Sequence, residues 1–156
     1  FCGVATIVTK LFNITMPDMA YFGQKDAQQA IVIKKMARDL NMPVKIKVEP
    51  IVREKDGLAM SSRNIFLNKE ERSHAQAIYR SLKLAKSLFK KGERDSAGII
   101  NKMKQLINEE PDAKIDYIKA VDPRDLKDVK RISGKTLLAI AVKIGNTRLI
   151  DNIILN

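Results

Sequence analysis

The sequence predicts an α/β chain, in which a parallel strand–helix–strand unit is followed by a small α+β domain with a three-stranded antiparallel sheet. Three observations carry this. Met19–Phe22 and Val44–Val48 are strand-like runs on either side of a 3.6-periodic segment, an order that calls for a parallel pair with a right-handed helical crossover. After Pro50 the character changes to long helical stripes. The tail then holds three strand-like runs, with Gly145-Asn146 between the last two as a hairpin signal.

Taken in order, Val4, Ile7, Val8, Leu11 and Phe12 recur at helical spacing and predict a mostly buried helix over Gly3–Phe12, stopped before Pro17. Met19–Phe22 reads as a buried strand, after which Gly23 lets the backbone turn. Asp26–Asp39 follows as an amphipathic helix with Ala30, Ile33, Met36, Ala37 and Leu40 inward, closed by Asn41-Met42-Pro43. Val44, Ile46 and Val48 alternate with lysines as in a strand. Lys55-Asp56-Gly57 is a turn. Asn68 caps a long helix with Glu70 and Glu71 in its first turn, ending at Lys90-Lys91-Gly92. A second helix spans Asp95–Asn108, before Pro111. The strands are Ile115–Val121, Thr136–Val142 and Arg148–Ile154.

The chain has 156 residues, 45% apolar and 30% charged, the composition of a globular protein. Its net charge of +11 has two readings, a polyanion site or a solvated lysine-rich surface. The lysines at 83, 86, 90 and 91 read as a solvated helix face, and the lack of tryptophan argues against a base-stacking platform. One cysteine, Cys2, excludes an internal disulfide or a cysteine zinc cluster and is consistent with a reducing cytoplasm, where we place the chain. One histidine, His74, excludes multi-histidine metal sites and reads as a surface or boundary residue. No apolar run is long enough to span a membrane. The chain opens at Phe1, on what reads as the middle of a folded element, and is expected to be part of a longer protein.

Two blocks concentrate the chemistry. Phe22-Gly23-Gln24-Lys25-Asp26-Ala27-Gln28-Gln29 places a lysine, a carboxylate and carboxamides at a strand-to-helix junction. Asp56-Gly57-Leu58-Ala59-Met60-Ser61-Ser62-Arg63-Asn64 is a glycine-kinked loop with two hydroxyls and an arginine. Together they supply cations for phosphate, an acceptor for ribose hydroxyls and polar groups for a second substrate. Lys25 sits near a helix start, where backbone N–H groups favour anions. Asp26 has a second reading as an N-terminal helix carboxylate, and Gln29 lies one turn beyond Lys25 on the same face. Ser61 and Ser62 either bond phosphate or cap the next turn, and Arg63 offers a bidentate fork. Val52 and Met60 either flank a base or fill the hinge.

At these blocks the chain resembles the pantothenate synthetase, or pantoate–β-alanine ligase, family. The first block is similar to that family's Phe-Gly-Glu-Lys-Asp motif, with Gln24 in place of glutamate. The second matches its Asp-Gly-Leu-Ala-Met-Ser-Ser-Arg-Asn motif unchanged, and Thr147–Asn152 matches its closing strand. The resemblance implies a nucleotidyltransferase-type, partial Rossmann-like sheet over residues 1–50, a hinge over 51–67 carrying the Met-Ser-Ser-Arg loop, and an α+β lid over 68–156. It implies ATP and Mg²⁺, with pantoate and β-alanine as substrates and pantoyl adenylate as intermediate; a homodimer is compatible with it. Gly23 and Asp26 would hold ribose, Lys25 the phosphates, Gln29 pantoate, and Val52 and Met60 adenine. Ser61, Ser62 and Arg63 would bind the triphosphate. The family's His-x-Gly-His motif is missing from this sequence. The expected reading is therefore a C-terminal portion, inactive alone. Two other readings stand beside it: a basic nucleic-acid-binding module and a non-catalytic interaction domain.

Overall fold

The computed structural model describes residues 2–156, which divide into two compact units, one ending at Ile51 and the other running from Val52 to Asn156.

The first unit contains α1 (Cys2–Thr15), β1 (Met19–Gly23), a 3₁₀ turn (Gln24–Asp26), α2 (Ala27–Asp39) and β2 (Lys45–Glu49). β1 and β2 are parallel, with Met19 opposite Lys45 and Gly23 opposite Glu49. Thr9 Oγ1 donates to Met36 Sδ at 3.0 Å, tying α1 to α2. Phe12, Ala30, Ile33 and Ala37 are buried.

Three expectations are corrected here. α1 runs on to Thr15 and is only partly buried: Phe12 is covered, Val4 and Val8 are half-buried, and Ile7 and Leu11 are half in solvent. β1 alternates exposed and half-buried residues instead of being buried. Leu40 lies just past the end of α2 and is exposed. α2 packs on both strands of this narrow sheet while α1 packs chiefly on α2, so much of the apolar surface of α1 stays uncovered.

The second unit begins with the loop 52–61, a 3₁₀ turn (Ser62–Phe66), α3 (Lys69–Lys90) and α4 (Ser96–Asn108). β3 (Ala113–Val121), β4 (Thr136–Ile144) and β5 (Thr147–Leu155) form an antiparallel sheet in that order, with a bulge in β3 between Ile115 and Tyr117. α3 opens on a full capping box: Asn68 Oδ1 accepts from the Glu71 N–H and Glu71 Oε2 accepts from the Asn68 N–H, both at 2.9 Å. Asp95 caps α4 through the Ala97 and Gly98 N–H groups. The β4–β5 turn has positive φ (53°) at Gly145, the first of its two residues, as a type II′ turn requires.

The core joins Ala75, Ile78, Leu82 and Ala85 of α3 to Ile99, Met103 and Ile107 of α4 and to Leu138, Ile140, Val142 and Ile144 of β4. β4, the central strand, is buried from Thr136 to Val142. His74 is half-buried on α3, with Nδ1 3.0 Å from Asp112 Oδ2. Among the described residues no helix is long and apolar enough to cross a membrane.

Candidate functional site

The loop that opens the second unit is a tight reversal. The Met60 N–H donates to the Val52 carbonyl, and the Glu54 N–H to the Leu58 carbonyl, each at 2.9 Å. Leu58 and Ala59 are buried and anchor the loop, while the Val52 and Met60 side chains stand in solvent. Gly57 has φ +92°, and a Cβ there would fall on ring carbons of Tyr79. Glycine is thus required twice over, by backbone conformation and by the close approach of an aromatic ring.

Charged side chains from distant elements hold this reversal. Arg72 of α3 donates Nε to Asp56 Oδ2 and Nη2 to Glu54 Oε2, both at 2.7 Å. Asn64 Nδ2 donates to Glu54 Oε1 and to the Ala59 carbonyl. Asp56 Oδ1 accepts from the Leu58 N–H at 3.1 Å. The Arg72 guanidinium, helped by the Asn64 amide, holds the Glu54 carboxyl below the usual carboxylate range, and Arg72 does the same to Asp56. Arg72 is in turn pushed up by Glu54 and Asp56.

At the other edge, Arg53 donates Nη1 to Asp151 Oδ2 at 2.6 Å and Nη2 to Asp151 Oδ1 at 3.0 Å. The same Nη1 reaches the Gly57 carbonyl at 3.0 Å, and the guanidinium lies 4.2 Å from the Tyr79 ring centre.

Ser61 is extended (φ −156°), and its Oγ accepts from the Arg63 N–H at 3.3 Å, so the capping role expected as one alternative is realised. Ser62 begins the 3₁₀ turn and is exposed, as is Arg63, whose Nη1 donates to the Arg148 carbonyl at 3.3 Å. Arg63, Phe66, Glu71, Asn146, Thr147 and Arg148 line an open cavity of about 490 Å³. Arg148 Nε donates to Asp116 Oδ2 at 2.6 Å, which raises the Arg148 pKa.

In the first unit, Gly23, Lys25, Asp26 and Gln29 gather at the β1–α2 junction. Two expectations change. Gly23 does not make the turn: its φ of −76° and ψ of 136° are ordinary extended backbone, and the 3₁₀ turn that follows reverses the chain. Space around its Cα is open, since a Cβ would meet nothing within 4 Å. Lys25 lies in that turn and precedes α2, so it does not share a helix face with Gln29. Asp26 is exposed and stands at the N-cap of α2, the place of the N-terminal helix carboxylate expected as its second reading, and its side chain makes no cap hydrogen bond there. Among the described residues no three His, Cys, Asp or Glu side chains cluster to hold a metal ion.

Two separate groups of candidate residues, each with its own local frame, match the two sequence blocks. A family model described as pantoate–β-alanine ligase matches residues 1–154. The chain belongs to the pantoate–β-alanine ligase family. The pantothenate synthetase of Syntrophomonas wolfei is 55% identical over 154 residues, which is 99% of this chain and 55% of that protein. The enzyme of Fervidobacterium nodosum is 53% identical over the whole chain and 55% of its own length. A crystal structure of pantothenate synthetase from Thermus thermophilus superposes with a TM-score of 0.91 at 37% identity, covering 97% of this chain and 54% of that one. A pantoate–β-alanine ligase from Francisella tularensis, complexed with β-γ ATP and β-alanine, aligns with a TM-score of 0.65 at 32% identity, over 97% of this chain and 49% of that one. The chain thus spans about half the length of these relatives.

Arg53, Glu54, Asn64, Arg72 and Asp151 were not singled out from the sequence as contributors to the site. One signal was available: Asp151 sits in Leu-Ile-Asp-Asn-Ile-Ile-Leu, and an acid in so apolar a strand calls for a buried partner.

Proposed function

We propose that this chain supplies the nucleotide-handling loops of an ATP-dependent ligase that joins pantoate to β-alanine. The observation that carries the reading is the complete Asp56–Asn64 loop, bonded by Arg53 and Arg72 within a member of this family. Pantoate's carboxylate attacks the α-phosphorus of ATP, forming pantoyl adenylate and releasing pyrophosphate. The β-alanine amine then attacks the acyl carbon, and AMP leaves as pantothenate forms.

Such a reaction asks mainly for placement and charge stabilisation, since negative charge builds on the phosphorus oxygens and on the leaving pyrophosphate. Exposed Arg63 with Ser62, at the start of a 3₁₀ turn, offers donors for the phosphates, and Lys25 offers a further cation from the β1–α2 junction. Met60 and Val52, set side by side by their backbone bond, present exposed apolar side chains for adenine. Asp26 and the open space at Gly23 suit a ribose, and Gln29 suits pantoate. Mg²⁺ enters with ATP: the loop contributes hydroxyls and no carboxylate cluster, which fits an ion held mainly by phosphates and water. In this reading residues 1–50 belong to a Rossmann-like nucleotide domain, 51–67 to the hinge and its loop, and 68–156 to a lid.

The test is pantoate-dependent exchange of labelled pyrophosphate into ATP by the full-length protein, without β-alanine. Exchange that needs pantoate supports the adenylate. Pantothenate formation without any exchange refutes the adenylate route, and neither reaction refutes the function.

A further inference from the structure

We propose that the Arg53–Asp151 ion pair is a positioning device for the Ser61–Arg63 loop, a role that rests on the ligase reading above. Asp151 is too buried to meet a ligand, with 1% of its side chain exposed, so any effect on the site must pass through Arg53. Its carboxylate is fully engaged, taking both Arg53 nitrogens and the Asn152 N–H at 2.8 Å. The fork fixes the guanidinium plane, which is backed by the Tyr79 ring. Arg53 Nη1 is shared with the Gly57 carbonyl, so the orientation set by Asp151 is passed directly to the turn of the loop.

The far end of the loop returns to the same strand, where Arg63 donates to the Arg148 carbonyl of β5, three residues before Asp151. Both ends of the loop are therefore fastened to β5, and Arg72 holds its middle to α3. Burying an ion pair is a poor route to stability, since matched apolar residues do as well or better. A bidentate pair does supply a fixed direction. A loop already set in place needs no reordering as charge develops on the phosphates, so the pair serves turnover more than substrate affinity.

The experiment uses the full-length protein with Arg53→Lys and Asp151→Asn, measuring kcat and the KM of each substrate beside a melting curve. Asp151→Asn is expected to lower kcat about 100-fold, and Arg53→Lys, which keeps the charge but loses the fork, about tenfold, with KM changed less than about twofold. Wild-type kcat in folded Arg53→Lys overturns the proposal, as does a loss that only tracks the folded fraction. Amide exchange on the wild-type protein gives a second readout that needs no variant. The Leu58 and Met60 N–H groups should be protected like those in the middle of α3, and rapid exchange overturns the proposal. A wild-type protein without ligase activity but with protected loop amides refutes the functional reading instead.

Discussion

Replacing Gly57 by alanine perturbs the signature loop at its tightest point. Gly57 holds φ +92°, and the left-handed conformation costs an L-residue about 1–2 kcal/mol. The added methyl would also land on the Tyr79 ring. That ring cannot simply withdraw, because it is flanked by the Arg53 guanidinium at 4.2 Å and the Lys83 ammonium at 4.8 Å. Displacing it weakens two cation–π contacts of about 0.5–1 kcal/mol each and disturbs the arginine that binds Asp151. The sum is roughly 2–4 kcal/mol, or a fall in Tm of about 10–20 °C for a unit of about a hundred residues. Gly23→Ala is the internal control: its backbone is extended and its surroundings open, so stability should stay within about 0.5 kcal/mol. Thermal melts followed by circular dichroism measure both. Equal melting of Gly57→Ala and wild type would refute the reasoning about φ and the ring together.

Acid should act on the same loop. Glu54 and Asp56 have folded pKa values held below their unfolded ones by Arg72, so their contribution is complete above the unfolded values of about 4 and is lost as pH falls through the folded ones. The Tm gap between wild type and Arg72→Met should accordingly be widest above about pH 5 and close as pH drops below about 4; a gap independent of pH would contradict this. On the β3–β4 connection, the Arg124 guanidinium brings the Asp122 carboxyl down to about 2, and Arg124→Ala should return it towards the ordinary value in an NMR titration. The 156-residue chain, with its single histidine, should form no measurable pantothenate alone, and robust turnover by a verified preparation would remove that expectation.

Some of this architecture was legible in residue order and some was not, for identifiable physical reasons. α3 was readable at both ends, because Asn68 and Glu71 satisfy each other's backbone N–H groups locally and Gly92 takes a positive φ just beyond its last turn. β4 and β5 were readable from apolar content and the Gly145-Asn146 turn, which needs no distant partner. α1 was legible as a helix but not in its burial: periodicity shows that Ile7 and Leu11 share a face, and says nothing about what covers it. Gly23 misled for a related reason, since the presence of glycine does not report its φ. Ser61, Ser62 and Arg63 stand out in the sequence as the loop's candidate phosphate donors. Its supports were hidden because Arg53 and Asp151 are 98 positions apart and Arg72 reaches back from the next helix. Such pairings arise only when the sheet and α3 have packed.

The most direct test of the functional account is AMP release by the full-length protein given Mg-ATP, pantoate and β-alanine, beside the Arg63→Ala variant. The account predicts one AMP per pantothenate, none when either pantoate or β-alanine is withheld, and a turnover loss in the variant of about 100-fold or more, as for removal of a transition-state phosphate donor. Full activity in folded Arg63→Ala would take Arg63 out of the chemistry. Absence of AMP from the wild-type protein with all three substrates would contradict the account itself.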